Sequence, residues 1–334
     1  MPQNYTITDL GTLAAGTQSQ AMAINDCGHV AGWSKIVAVG GNDHAFLWTP
    51  AALRDLGTFP GGSSSYANAL NCCGSIVGNA YVGAAGSVQD AFIVSAGGPF
   101  RDLGNLVPGG GSAATGVNAA GVIVGSANMD THGGSFHAFS CIAPGPLQDL
   151  GTLPGGNSSL AAAVNNLNII AGYSWLNSSG NPQHACIWDA QGTIHDLGTL
   201  PGGTTSHATA LNDLTTIVGD SDSGTSSGNP HACLWHGMNV AVDLGTLPGG
   251  AYSTAFGVNL FRTVVGNSGV AGGGQPHAFV WTEAAGMQDL NALIPAGSGW
   301  LLTAATGINV VGQICGYGTL TASGQVHAYL LTPR

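Results

Sequence analysis

Hydrophobic and polar positions along this chain recur as a block, not as a single helical or strand period. The octet Asp-Leu-Gly-Thr-Leu-Pro-Gly-Gly at 149–156 returns at 196–203 and 243–250, with weaker copies starting at Asp9, Asp55, Asp102 and Asp289. These starts divide the chain into units 9–54, 55–101, 102–148, 149–195, 196–242, 243–288 and 289–334, with residues 1–8 in front. In the second unit the octet is followed by SSSYANALN, whose small and apolar residues suit a strand buried on both faces. Asn71 then heads a turn with Gly74 three places on, the chemistry of a tight hairpin in which the Asn side chain bonds its own backbone. Asn25, Asn118, Asn165, Asn212, Asn259 and Asn309 stand at the same place in the other units. A second strand, SIVGNAYV, carries Gly78, aligned with Gly32, Gly125, Gly172, Gly219, Gly266 and Gly312. Glycine inside a strand marks a bulge or a close backbone approach. A variable polar loop leads to a third strand rich in aromatic and β-branched residues, DAFIV here and HAFLW, HACIW, HACLW or HAFVW elsewhere. A fourth strand ends in the next unit's Asp-Leu-Gly, and no window holds a helical period.

Four short strands in a unit of this length predict a propeller blade. Seven units predict an all-β, seven-bladed β-propeller occupying 1–334 as one domain. An apolar residue sits two places before each unit's Asp: Leu53, Phe100, Leu147, Ile194, Ala241 and Met287. The seventh unit stops at LLTPR, before a fourth strand, while YTIT places Ile7 two residues ahead of Asp9. Residues 1–8 are therefore predicted to supply the last blade's missing strand and close the ring without an open edge.

The octet, a strand ending in Asn, a Val-Gly-x-Ser segment and His-Ala-Phe-Leu-Trp follow one another in fixed order. In this the chain resembles the bacterial HAF-repeat proteins, described as probable extracellular repeats, over essentially its whole length. His-Ala-Phe stands at His44, His137 and His277, Cys replaces Phe after His184 and His231, and Tyr replaces it after His327. The second unit departs furthest, with Asp90 in place of His. The resemblance implies a secreted or cell-surface location and brings no catalytic residues with it.

Composition narrows the partners. Charged residues are 6% of the chain, against about 25% in a typical soluble domain. Hydrophobic residues are 44%, so disorder is not expected. The net charge is -11 and the only basic residues are Lys35, Arg54, Arg101, Arg262 and Arg334, which leaves no patch to neutralise phosphates and excludes nucleic acid as a partner. No apolar run of about 18 residues predicts a transmembrane helix, and MPQNYTITDL lacks the basic and apolar regions of a signal peptide. The seven cysteines are odd in number and include the neighbours Cys72 and Cys73, unlike a disulfide framework. Cys186 and Cys233 stand where other units have Phe46, Phe92, Phe139 and Phe279, and Cys141 where they have Trp48, Trp188, Trp235 and Trp281, so these three are expected in the core. Cys27 and Cys73 share a turn position and are expected at the surface.

The repeated Asp (Asp149, Asp196, Asp243) and His (His184, His231, His277) admit two readings: a ring of metal or proton-transfer sites, or one hydrogen bond per blade tying the third strand to the fourth. The second is preferred, because a catalytic site is seldom needed seven times whereas a fold-specifying polar contact is. Asn165, Asn212 and Asn259 are assigned a structural role with them. No CxxC or HExxH occurs, so no cofactor is expected and no catalytic residue is assigned. GTSSG at 224–228 fits GxSxG, but its serine falls in a loop and not at a strand-to-helix elbow. Asp220 and Asp222 resemble the start of a calcium loop that lacks its later glutamate, and are weak metal candidates.

What remains is one face of the ring, where the loops after the second and fourth strands emerge together. Tyr66, His207, Tyr252 and Trp300 open the first strand, and Tyr81, Trp175, Asn177 and Tyr317 lie beyond the second. Aromatic rings among Ser, Thr and Asn suit an uncharged polar ligand such as a carbohydrate. The expected function is a non-enzymatic binding or scaffold propeller. The alternatives are a polysaccharide-active lyase or hydrolase, for which only the loops of Asp130, His132, Asp220 and Asp222 offer charge, and a structural surface protein that binds nothing small. Nothing in the sequence fixes the oligomeric state.

Overall fold

The structure, a computed structural model, describes all residues except 1–4, 38–40, 84–87, 96–97, 132–133, 180–181, 225–227 and 238–240. Among the described residues the strands form seven four-stranded antiparallel sheets, six of which follow the chain from their innermost to their outermost strand. Blade 1 is typical, with strands Ser19–Ile24, Val30–Lys35, Asp43–Thr49 and Ala52–Gly57. Blade 7 joins the two chain ends, its strands being Trp300–Ile308, Ile314–Leu320, Val326–Pro333 and, from the N-terminus, Tyr5–Gly11. Tyr5 pairs with Pro333, Ile7 with Leu331 and Asp9 with Tyr329. Closure by the N-terminal strand is thus as the sequence predicts. The sequence repeat is offset from the blade, because its octet begins at the end of one blade's fourth strand and runs over into the next blade.

The core is a series of seams between blades. Phe92 and Ile76 of blade 2 pack with Ala31 and Ala45 of blade 1, and the same arrangement recurs round the ring. Cys186 and Cys233 are fully buried at the positions of Phe46 and Phe92, and Cys141 is buried too, as expected of small apolar groups.

Each seam also carries polar ties. Ser65 Oγ accepts the N–H of Ala45 in the preceding blade at 2.8 Å and donates to the Gly57 carbonyl at 2.6 Å. Ser19 makes the equivalent bonds, taking the Ala328 N–H at 2.9 Å across the junction of the chain ends. The turn asparagines form a ring of their own. Each Nδ2 donates to the backbone carbonyl of the next blade's Asn, from Asn25 to Asn71 at 3.1 Å and onward to Asn309, which returns to Asn25 at 3.2 Å. Each Oδ1 meanwhile accepts a backbone N–H four residues on, as Asn165 does from Ile169 at 2.9 Å. The side chain therefore fixes its own hairpin and the neighbouring blade at once.

The strand glycines face a bulge in the first strand. Pairing slips between Ala161 and Ala163, and a Cβ on Gly172 opposite would stand 1.9 Å from the Leu160 carbonyl oxygen. One assignment needs correction: the blade 7 counterpart is Gly316, whose Cβ would lie 2.0 Å from the Ala304 oxygen, and not Gly312. Gly312 closes the hairpin at φ 81°, donating to the Asn309 carbonyl at 3.1 Å. Val310-Val311-Gly312 imitates the Val264-Val265-Gly266 of the preceding unit, which misleads an alignment made by letters alone.

Candidate functional site

Each repeated His lies at the head of a third strand and each repeated Asp at the end of a fourth, so pairing brings them together at one edge of the blade. His184 Nδ1 meets the Asp196 carboxylate at 2.9 and 3.0 Å, and His44, His137, His231, His277 and His327 make the same bond to Asp55, Asp149, Asp243, Asp289 and Asp9. The carboxylate is doubly used, since Asp196 Oδ1 also accepts the Gly198 N–H at 2.7 Å and so caps the turn of the Asp-Leu-Gly motif. Although partial burial works against its charge, the bonds from His184 and Gly198 hold the Asp196 carboxyl below the usual carboxylate range.

Blade 2 breaks this pattern. Asp90 takes the place of His, is 7% exposed, and faces the carboxylate of Asp102. Burial and then that like charge push its carboxyl up, against a hydrogen bond from Asn105. Asp90 Oδ1 and Asn105 Oδ1 are both buried without a partner. A carboxyl raised in the folded state contributes stability below its unfolded pKa and loses it as pH rises through the folded value, so ionised Asp90 weakens the blade near neutrality. Asp90→Asn is therefore expected to raise stability by about 1 kcal/mol at pH 7 and by nothing in acid near pH 3, on the scale of one unsatisfied buried polar group. Melting temperatures of the two proteins measured across that range check this, and parallel curves would refute it.

Of the residues proposed to meet a ligand, Tyr66, His207 and Trp175 sit where neighbouring blades meet, on the face of the longer loops. Tyr66 donates its hydroxyl to Asp43 Oδ2 at 2.9 Å and meets Trp33 of blade 1 edge-on, with ring centroids 6.0 Å apart. His207 engages Asp220 Oδ1 through Nδ1 at 3.0 Å and Gln183 Oε1 through Nε2 at 2.7 Å, and stands edge-on to Tyr173 at 4.7 Å. Trp175 lies between Phe136 and Tyr173, at 5.0 and 5.7 Å. Blades 3 to 5 thus share a continuous aromatic row from Phe136 to His207. Trp300 turns inward, edge-on to His327 and Tyr329, and packs against the core cluster holding Tyr5. Tyr317, expected beyond the second strand, lies instead within it (Ile314–Leu320), directly after Gly316, and borders the central channel. Tyr252 is 36% exposed, and Asn177 Oδ1 accepts the N–H and hydroxyl of Ser179.

Tyr81 belongs to a cleft of about 420 Å³ between blades 2 and 3, whose other walls include Gln89, Ser112, Ser126, Asn128 and Thr131. Beside it a relay of amides runs from Asn68 to Asn79 Oδ1 at 2.9 Å and from Asn79 Nδ2 to Gln89 Oε1 at 2.7 Å. Sequence reasoning passed over Trp33, Tyr173 and Asn79. All three follow the strand glycine directly, at a position that varies from unit to unit, and that was the available signal.

The two metal candidates point to different partners. Asp220 pairs with His207, while Asp222 accepts the N–H groups of Thr204 and Thr205, both at 2.7 Å, and the Thr204 hydroxyl at 2.8 Å. Despite partial burial, those bonds hold the Asp222 carboxyl low. Among the described residues no three His, Cys, Asp or Glu side chains are grouped as a metal ion requires. The central residues of GTSSG and His132 lie outside the described residues. Among those described, no helix is long and apolar enough to cross a membrane.

No family model and no curated protein matches this chain. Solved structures do match in shape. An oligogalacturonate lyase in complex with manganese aligns with a TM-score of 0.59 at 11% identity, over 100% of this chain and 97% of that one. A puromycin-hydrolyzing peptidase from Mycobacterium tuberculosis aligns with a TM-score of 0.57 at 15% identity, over 98% of this chain and 56% of that one. A puromycin hydrolase aligns with a TM-score of 0.52 at 13% identity, over 95% and 53%. The chain thus spans about half the length of the peptidase and the hydrolase. At such identities the likeness is one of fold, and the fold is that of a seven-bladed β-propeller.

Proposed function

We propose that this propeller is a non-enzymatic binding module of the HAF-repeat type, secreted or displayed at the cell surface, that takes an uncharged polar ligand such as a glycan. The ligand lies on the long-loop face, in the cleft between blades 2 and 3. The observation that carries this reading is the lining of that cleft: one tyrosine beside Gln89, Asn128 and three hydroxyl residues, with no charged side chain among its described walls. A tyrosine ring covers the apolar face of a sugar while amides and hydroxyls meet its hydroxyl groups. Six of the seven repeated carboxylates are held by His and turn N–H groups within their own blades, which favours binding over the lyase or hydrolase alternative.

A glycan array followed by calorimetric titration of the best ligand tests this. Tyr81→Ala is expected to weaken binding by about 1 to 3 kcal/mol, taking base stacking on aromatic side chains as the nearest analogue, with the melting temperature little changed. Affinity unaffected by Tyr81→Ala and Asn128→Ala would remove the cleft from consideration. Depolymerisation of a bound polysaccharide would replace binding by the enzymatic reading.

A further inference from the structure

The hairpin turns on the opposite face carry three exposed thiols, Cys27 in blade 1 and Cys72 and Cys73 in blade 2. Their placement follows from the asparagine ring. Asn25 Nδ2 binds the Asn71 carbonyl at 3.1 Å, which fixes the two hairpins side by side, and the Cys27 N–H donates to Asn25 Oδ1 at 3.1 Å. The third residue of one turn then lies against the second residue of the next. In blades 2 and 3 this sets Cys73 Sγ 3.7 Å from the Ala119 carbonyl. In blades 1 and 2 those same positions are held by Cys27 and Cys72, so the asparagine tie between the two turns sets one thiol beside the other. The cysteines thus occupy the complementary positions of two adjacent turns, third in one and second in the next. Cys141, Cys186, Cys233 and Cys315 are buried in the seams.

We propose that Cys27 and Cys72 are a modification site, forming a reversible disulfide that staples blade 1 to blade 2 by exchange with a small-molecule disulfide. The Cys72 thiolate attacks one sulfur of the small disulfide, expelling one small thiolate and leaving a mixed disulfide on Cys72. The Cys27 thiolate then attacks the Cys72 sulfur and expels the second. Two protein thiols become one S–S bond, the small disulfide becomes two thiols, and the protons given up by Cys27 and Cys72 go to the expelled thiolates. Exposure at the hairpin turns gives the reagent access, and the asparagine ring holds the two turns side by side, the proximity a disulfide requires. Cys73, turned onward to Ala119, is left as a free thiol.

The test is equilibration of the folded protein with oxidised or reduced glutathione, alkylation of the remaining thiols and peptide mapping by mass spectrometry without reduction. The expected product links the peptides of Cys27 and Cys72, with Cys73 alkylated. The oxidised protein should melt on the order of 5 °C above the reduced one, from closing a loop of about 46 residues in a chain of this size. Cys27→Ser and Cys72→Ser should each abolish the linked peptide and the difference in melting temperature, and Cys73→Ser should leave both. Alkylation of Cys27 and Cys72 in the oxidised sample, a bond between Cys72 and Cys73, or a disulfide-linked dimer would each overturn the proposal.

Discussion

Removal of residues 1–8 is expected to destabilise the protein by about 5 kcal/mol or more, and to leave a sheet edge open in blade 7. The strand it truncates pairs with Val326–Pro333 from Tyr5 to Gly11, and its Tyr5 side chain is 1% exposed among Leu293, Leu331 and Tyr329. Burying one large aromatic side chain contributes roughly 2 to 3 kcal/mol, and the N–H of Tyr5 to the Leu293 carbonyl and the ladder to Leu331 add net bonds of about 1 kcal/mol each. The loss also uncovers Leu331, which is fully buried in the intact ring. Thermal melting and resistance to proteolysis measure the effect. An unchanged melting temperature would mean that the ring does not depend on this strand for closure.

Gly172→Ala is expected to cost about 3 to 5 kcal/mol, near the upper end for a single substitution. Its new methyl would stand 1.9 Å from the Leu160 oxygen, 2.9 Å from the Leu160 carbonyl carbon and 3.0 Å from the Ala161 Cα. All three are backbone atoms of the bulged inner strand Ser159–Val164, so no side chain can rotate aside. The informative control is Gly312→Ala in the hairpin, where the nearest atom is Pro333 Cγ at 3.4 Å and the penalty is that of a left-handed conformation alone, about 1 to 2 kcal/mol. The fold already tolerates that conformation at the equivalent Asn168, Thr215 and Arg262. Urea unfolding of both variants separates the two causes, and equal losses would show that close approach is not what keeps glycine in the strand.

Much of this architecture was legible in the letters because its causes are local and repeated. A hairpin needs a residue that bonds its own backbone and another that adopts positive φ, and both lie within four positions of each other in every unit. Repetition multiplied that weak signal until blade number, strand order and the closing role of the N-terminus followed. The same reliance on letters produced the error at Gly312, where Val-Val-Gly stands in a turn instead of a strand.

The candidate site was legible only in part. Tyr66, Tyr81, Trp175 and His207 were found as aromatic or ring-bearing residues near loops, but part of what surrounds each comes from another blade. Tyr66 is anchored by Asp43, 23 positions away, and His207 by Gln183, 24 positions away. The walls of the cleft join Tyr81 and Gln89 of one blade to Ser112 and Asn128 of the next. Trp300, with the same sequence credentials, turns into the core because blade 7 is completed by a strand from the other end of the chain.

By itself, then, the sequence determined what one blade is and how many there are, since strand alternation, turn chemistry and the repeat depend on residues close together in the chain. The tertiary structure decided what the repeated polar groups do between blades. The turn Asn satisfies its own hairpin through Oδ1, as its sequence context implies, but its Nδ2 reaches a carbonyl 46 to 50 positions on. The last link spans 284 positions, from Asn309 back to Asn25. Curvature and closure of the ring bring those groups within hydrogen-bonding distance, and no local pattern encodes a contact that exists only once all seven blades have met.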